Sequence, residues 1–156
     1  MEINIPGRGI IKITNLLLDY NGTIACDGRV IPSLKEKIEA INKKGIRVHL
    51  VTADTHGTAR NQCATMPIEI QVFDNSNAAE NKKEIVEKLG AEHCICIGNG
   101  FNDGQMFEAC SISIIVIGIE GCSAKSLMKA DIVCKNIEEA FDLILKPSRI
   151  IATLRG

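Results

Sequence analysis

Hydrophobic and polar positions alternate in blocks along this chain. Short aliphatic runs stand at Ile13–Leu18, Ile46–Val51, Ile68–Phe73, Cys94–Ile97, Ser113–Ile117 and Ile132–Cys134. Runs of this length, rich in Ile, Leu and Val, predict strands covered on both faces. Between them, apolar residues recur at helical spacing. Leu34, Ile38 and Ile41 mark the first helix, with Ser33 and Glu36 at capping-box spacing and Gly45 at its end. Further helices are predicted over Thr58–Met66, Ala78–Leu89, Asn102–Cys110, Ser123–Lys129 and Ile137–Leu145. Ahead of them, Met1–Ile5, a turn at Pro6–Gly9 and Ile10–Thr14 read as a small N-terminal β-hairpin. Strands alternating with helices predict an α/β fold, a doubly wound parallel sheet with helices on both faces.

Composition narrows the function classes. The 156 residues fit a single domain, 1–156, on a scale of about 150 residues per domain. Eighteen basic against 19 acidic residues leave a net charge of −1, which gives no drive toward nucleic acid or an anionic membrane. Aromatics, at 3%, supply no stacking platform for single strands. The aliphatic runs are too short to span a bilayer. Seven cysteines, with no CxxC and no Cys/His cluster at zinc spacing, are expected to be reduced and used as small buried hydrophobes. Met1–Gly9 holds no apolar leader, so the expected location is the cytoplasm.

In a sheet of this kind, ligands sit beyond the carboxyl ends of the strands. Asp19-Tyr20-Asn21-Gly22-Thr23 follows the first strand, and Thr52-Ala53-Asp54 follows the second. Lys82 opens a later helix, and Gly98-Asn99-Gly100-Phe101-Asn102-Asp103 follows the fourth strand. A carboxylate, a hydroxyl, an ammonium and a second carboxylate therefore converge on one edge. That set suits phosphoryl transfer, with a nucleophile, a phosphate clamp, a neutralising cation and a metal site. Blander readings stand beside it. Asp19 could be a structural carboxylate, Thr52 a helix cap, and Lys82 part of the solvated charged run Glu80–Glu84. Gly98–Asp103 could be a dinucleotide loop, but it lacks the third glycine spacing. Asp54 reads as a helix-start acid, His49 as a packed core residue, and His56 as a residue that could touch substrate.

The four segments, in this order, resemble the motifs of the haloacid dehalogenase-like (HAD) superfamily. They are most similar to the phosphorylation domain of P-type ATPases and to its soluble relatives. Asp19, Gly22 and Thr23 match Asp-x-x-Gly-Thr, and Thr52-Ala53-Asp54 is similar to Thr-Gly-Asp. Lys82, with Val86 and Leu89 four and seven residues on, matches the third motif, while Lys83 does not. Gly98–Asp103 matches Gly-Asp-Gly-x-Asn-Asp except that Asn99 replaces the first Asp. The resemblance implies a Rossmann-like HAD core in which Asp19 attacks phosphorus and forms an aspartyl phosphate. It implies that Mg²⁺ is held by Asp19, the backbone carbonyl of Asn21, Asn99 and Asp103. Thr52 and Ala53 would bind the phosphoryl group, and Lys82 would neutralise its charge.

Two positions depart from the pattern. Asn21 stands where phosphatases of the family carry an Asp as general acid and base, and an amide cannot exchange a proton near neutral pH. A slow phosphohydrolase favouring activated phosphates is therefore expected. Asn99 removes a negative charge from the metal site and should weaken magnesium binding. The gaps between Thr23 and Thr52 and between Phe73 and Lys82 are too short for a cap domain or a pump's nucleotide domain. A capless site stays open. It favours a large phosphorylated substrate, whether small molecule or macromolecule, or a wall supplied by a second copy in a homo-oligomer. The competing expectation is a catalytically weakened phosphate-binding regulatory protein of the same fold. A receiver domain fits less well, because its phosphorylated Asp follows the third strand.

Overall fold

The computed structural model describes residues 1–53, 58–73 and 75–156. β1 (Glu2–Ile5) and β2 (Gly9–Lys12) pair as an antiparallel hairpin. β3 (Asn15–Leu18) follows, then a flap of two short strands, β4 (Ala25–Cys26) and β5 (Arg29–Val30). The chain continues through α1 (Leu34–Lys43), β6 (Arg47–Thr52), α2 (Thr58–Cys63), β7 (Glu69–Val72) and α3 (Ala78–Lys88). β8 (Cys94–Gly98), α4 (Gly104–Ala109), β9 (Ile112–Val116), α5 (Ala124–Leu127), β10 (Ile132–Cys134), α6 (Ile137–Leu145) and α7 (Ser148–Leu154) complete it.

β3 and β6 to β10 form one parallel sheet in the order β10-β9-β8-β3-β6-β7. The chain winds outward from β3 to β7, then returns to the other side of β3. The reversal falls between β3 and β8, the crevice where such folds bind ligands.

Strand side chains alternate between two cores. Leu16 and Leu18 of β3 and Ile95 and Ile97 of β8 pack with Leu34, Ile38 and Ile41 of α1 and with Phe141 and Ile144 of α6. Leu17, Cys94 and Cys96 face the other way, against Val86 of α3 and Met106 and Phe107 of α4. Cys94 and Cys96 thus fill space on one face and Cys63 and Cys134 on the other, whereas Cys26, Cys110 and Cys122 are only part-buried; all seven are free. Burial pushes the Cys94 thiol up to about 12 and Cys134 up to about 11, so both stay protonated.

Three local expectations are corrected. The capping box at Ser33 does not form: Ser33 has helical φ and ψ of −66° and −13°, and its hydroxyl donates to Glu138 Oε1 at 3.1 Å. A tertiary acceptor outcompetes the local amide. The helix expected from Asn102 begins as a 3₁₀ turn, Phe101–Asp103, and becomes α-helical at Gly104. The Asp103 carboxylate draws the backbone of that turn inward. Finally, α7 packs Ile150 and Leu154 into the core, although it lay beyond the predicted helices. Among the described residues, no helix is long and apolar enough to cross a membrane.

Candidate active site

The site is built at the ends of β3 and β8. Register pairs Leu18 with Leu50 and with Ile97, and the Asp19 N–H continues the ladder by donating to Ile97 O at 3.0 Å. Asp19 therefore leaves the sheet at its centre. Beyond it the chain curls tightly, with the Tyr20 carbonyl accepting from the amides of Thr23, Ile24 and Ala25. That curl needs Gly22, which sits at φ +74°. A Cβ there would also lie 2.2 Å from Asn99 Nδ2, so the first and fourth motifs touch through a missing side chain.

Lys82 is 1% exposed, on the inner face of α3 one turn before Val86. Its ammonium lies 2.6 Å from Asp19 Oδ1, 2.6 Å from Asp103 Oδ1 and 3.4 Å from Asn102 Oδ1. Lys83, one residue on, is exposed and pairs with Glu87 instead. The surface reading of Lys82 is thereby overturned. Burial alone would lower the Lys82 pKa, but the two carboxylates outweigh it and hold the ammonium well above its ordinary value.

Asp103 is fully buried. Its Oδ2 accepts from the amides of Asn99 at 3.0 Å and Gly100 at 2.7 Å. Gly98 is required beneath it, since a Cβ there would meet Oδ2 at 2.3 Å. Burial, and then the charge of Asp19, push the Asp103 carboxyl up to about 6, although Lys82 and the Gly100 amide pull it back. Two carboxylates face one ammonium, so the fully ionised cluster carries one surplus negative charge.

Asn99 and Thr23 complete the second side. The Thr23 hydroxyl lies 3.4 Å from Asp19 Oδ2 and 3.3 Å from Asn99 Oδ1, and shares its proton between them. Asn99 Nδ2 donates to Gly121 O at 3.0 Å, which fixes the amide with its oxygen toward Thr23. Asn21 is exposed at the mouth and bridges to Ala25. Thr52 is buried at the end of β6, with Ala53 half-buried after it. Asp54 and His56 lie outside the described residues.

Asp19, Lys82, Asn99 and Asp103 are thus linked by direct contacts, with Thr52 and Ala53 on the neighbouring strand end. Thr23 and Asn102 join them, although nothing in the sequence marks them out beyond their motifs. Their place depends on contacts from Thr23 to residue 99 and from Asn102 to residue 82, which no local pattern encodes. Asp19 Oδ2 and Asn99 Oδ1 flank the same Thr23 hydroxyl, and with the surplus negative charge of the cluster they offer oxygen ligands of the kind a hard divalent cation takes. Asp103 is less available, since both its oxygens are already engaged.

The comparisons follow the same lines. Residues 4–111 match the model of the haloacid dehalogenase-like hydrolases. The chain belongs to that family. An uncharacterized protein of Methanocaldococcus jannaschii is 41% identical over 78 residues, covering 47% of this chain and 84% of that one. A copper-transporting ATPase of Schizosaccharomyces pombe is 27% identical over 109 residues, covering 69% of this chain but 12% of the ATPase. Among solved structures, the 3-deoxy-D-manno-octulosonate 8-phosphate phosphatase of Moraxella catarrhalis, in complex with magnesium, phosphate and its sugar, superposes with a TM-score of 0.72. It is 18% identical, and the match covers 92% of this chain and 94% of that one. At that identity the likeness is one of fold.

Proposed function

We propose that this HAD-like hydrolase is a single-domain, magnesium-dependent phosphohydrolase working through an aspartyl phosphate on Asp19. The observation that carries the reading is the buried Lys82 ammonium, held 2.6 Å from both Asp19 and Asp103. Two carboxylates already match this buried ammonium, and the surplus negative charge that remains is what a bound divalent cation would offset. With that cation in place, the ammonium and the metal would together face the charge of a transferring phosphoryl group.

The Asp19 carboxylate is the attacking group. The Asp19–phosphorus bond forms as the bond to the leaving oxygen breaks, and the leaving group departs with the electron pair. Lys82 compensates the charge on the phosphoryl oxygens, and Thr52 and the Ala53 backbone bind the same group. Asp103 keeps the ammonium in place. Mg²⁺, bound by Asp19, the Asn21 carbonyl, Asn99 and Asp103, would supply Lewis-acid polarisation and charge neutralisation. Water then releases inorganic phosphate and restores Asp19.

Asn21 cannot protonate a departing alkoxide, a contribution worth roughly 10²–10⁴-fold in rate. Activated phosphates, whose leaving groups depart as stabilised anions, are therefore the favoured substrates. The relation to an ATPase agrees with this, because an anhydride leaving group needs no proton. The phosphatase of Moraxella catarrhalis supports the reaction class and the metal, not the sugar. The test is phosphate release with magnesium from acetyl phosphate and from a hexose phosphate, with Asp19→Asn as control. Faster turnover of acetyl phosphate, abolished in the variant, is expected. A preference for the hexose phosphate would refute the role given to Asn21.

A second reading rests on Asn21 and Asn99 together: a phosphate-binding regulatory protein that has lost turnover. Magnesium-dependent binding of phosphate, with no release from any activated compound, would favour it.

A further inference from the structure

A cavity of about 300 Å³ opens beside the cluster, between the flap and the loop after β9. Gly22 and Thr23 form its inner wall. Thr23 is the residue whose hydroxyl reaches Asp19, so the cavity begins one side chain away from the attacking carboxylate. Its remaining walls are mainly aliphatic, from Ile31, Val116, Ile119 and Ile137. Val116 and Ile137 are core residues, but Ile119 is 92% exposed, an aliphatic side chain left in water at the rim. The charged lining residues are Glu120 and Glu138, and no Lys or Arg is among the described residues that line it. Both carboxylates are tied in place. Glu120 accepts from the Asp27 amide at 2.8 Å, which ties the flap to the loop after β9, and Glu138 accepts from Ser33.

We infer that this cavity receives the leaving group, and that the substrates are acyl or aryl phosphates carrying an apolar body without negative charge. The inference rests on the phosphohydrolase reading and deepens it. Two independent constraints meet in that class. Asn21 requires a leaving oxygen that departs unprotonated, which acyl and aryl oxygens do. The cavity offers aliphatic surface to cover and few partners for a polyhydroxylated chain. Buried hydroxyls without partners would lose more than they gain. Glu120 and Glu138 repel a carboxylate, so a sugar acid is the wrong occupant twice over. The volume suits a six-membered ring with a small substituent. In the reaction, the phosphoryl group passes to Asp19, the carboxylate or phenolate leaves with the bonding electrons, and water later returns inorganic phosphate.

The experiment uses the full chain with magnesium and compares compounds that differ in one property. Benzoyl phosphate and acetyl phosphate share the same leaving chemistry but differ in apolar body. Phenyl phosphate and 4-carboxyphenyl phosphate differ in charge. The kcat/KM for benzoyl phosphate should exceed that for acetyl phosphate by about tenfold or more. Ile119→Asp should bring that ratio toward one, and Glu138→Gln should narrow the discrimination against the carboxylated ester. Binding of phenylphosphonate and methylphosphonate, measured by calorimetry, reads the cavity without turnover and should show the same preference.

Equal use of benzoyl and acetyl phosphate, with release still abolished by Asp19→Asn, would overturn the cavity assignment and leave the hydrolase reading standing. Release from none of the compounds, with phenylphosphonate still favoured and Ile119→Asp erasing the preference, would sink the hydrolase reading but support the cavity. Neither turnover nor a phosphonate preference would overturn both.

Discussion

β3 and β6 each carry buried polar groups near both ends, and the two ends are built differently. At the amino end, Asn15 Nδ2 donates to Thr14 Oγ1 and to Leu89 O, each at 3.1 Å, and its oxygen meets His49 Nε2 at 3.1 Å. His49 Nδ1 lies 3.4 Å from the exposed Glu69 carboxylate but is not aligned to bond it. Burial keeps the ring below its ordinary pKa, outweighing Glu69, and Arg47 adds to the effect. The cluster is a neutral clasp that joins strands. At the carboxyl end, Lys82 and Asp103 are buried and Asp19 is half-buried, and the charged trio is one positive charge short. Polar burial thus serves packing at one end, while at the other it leaves a net negative charge of the kind a divalent cation would offset.

Removing the ammonium should break that contrast most severely. Lys82→Met leaves the buried Asp103 carboxylate and the half-buried Asp19 uncompensated, and a loss of about 3–5 kcal/mol is expected in denaturant unfolding, with phosphate release abolished. His49→Asn should cost about 1–3 kcal/mol and leave phosphate release in place. If the Lys82 variant were no less stable than the His49 variant, the two ends would not differ in electrostatic load.

Acidification sharpens the comparison, because the two ends respond with opposite signs in metal-free protein. His49 has a folded pKa below its unfolded value of 6.5. Its stabilisation is present above that value and is lost as pH falls through the folded pKa. Asp103 has a folded pKa of about 6 against 3.8 unfolded. Its contribution is full below 3.8 and disappears as pH rises through 6. Between pH 7 and 5, His49→Asn should therefore make stability rise relative to wild type, and Asp103→Asn should make it fall more steeply. Differences on the order of 1 kcal/mol should be resolved by urea unfolding at several pH values.

The last effect concerns the metal and leaves stability aside. Asn99→Asp restores a charge beside Asp19 Oδ2 and should tighten magnesium roughly tenfold, about 1.4 kcal/mol. Equal affinities by calorimetry would mean that residue 99 does not face the ion.

Much of this was legible in sequence because it is local. Aliphatic runs gave the six parallel strands, and the spacing of Lys82, Val86 and Leu89 picked out the lysine that stands on the inner face of α3. What stayed hidden depends on partners distant in sequence. The Ser33 hydroxyl turned to Glu138, 105 residues away, rather than to its own helix. The flap is held by Glu120 on one side and by Gln62 on the other, whose amide oxygen accepts from Val30 N at 2.8 Å. No periodicity encodes either contact. α7 follows Pro147 and is too short for its pattern to stand out against the preceding helix.

The contact between Gly22 and Asn99 sets a boundary for anyone redesigning this protein. Position 22 tolerates no side chain, since both its backbone angle and the amide opposite forbid one. A library randomising position 22 should return glycine, whereas one at 99 can vary chemistry within a fixed size. Altered metal preference is therefore best sought among substitutions at 99 no larger than the native amide.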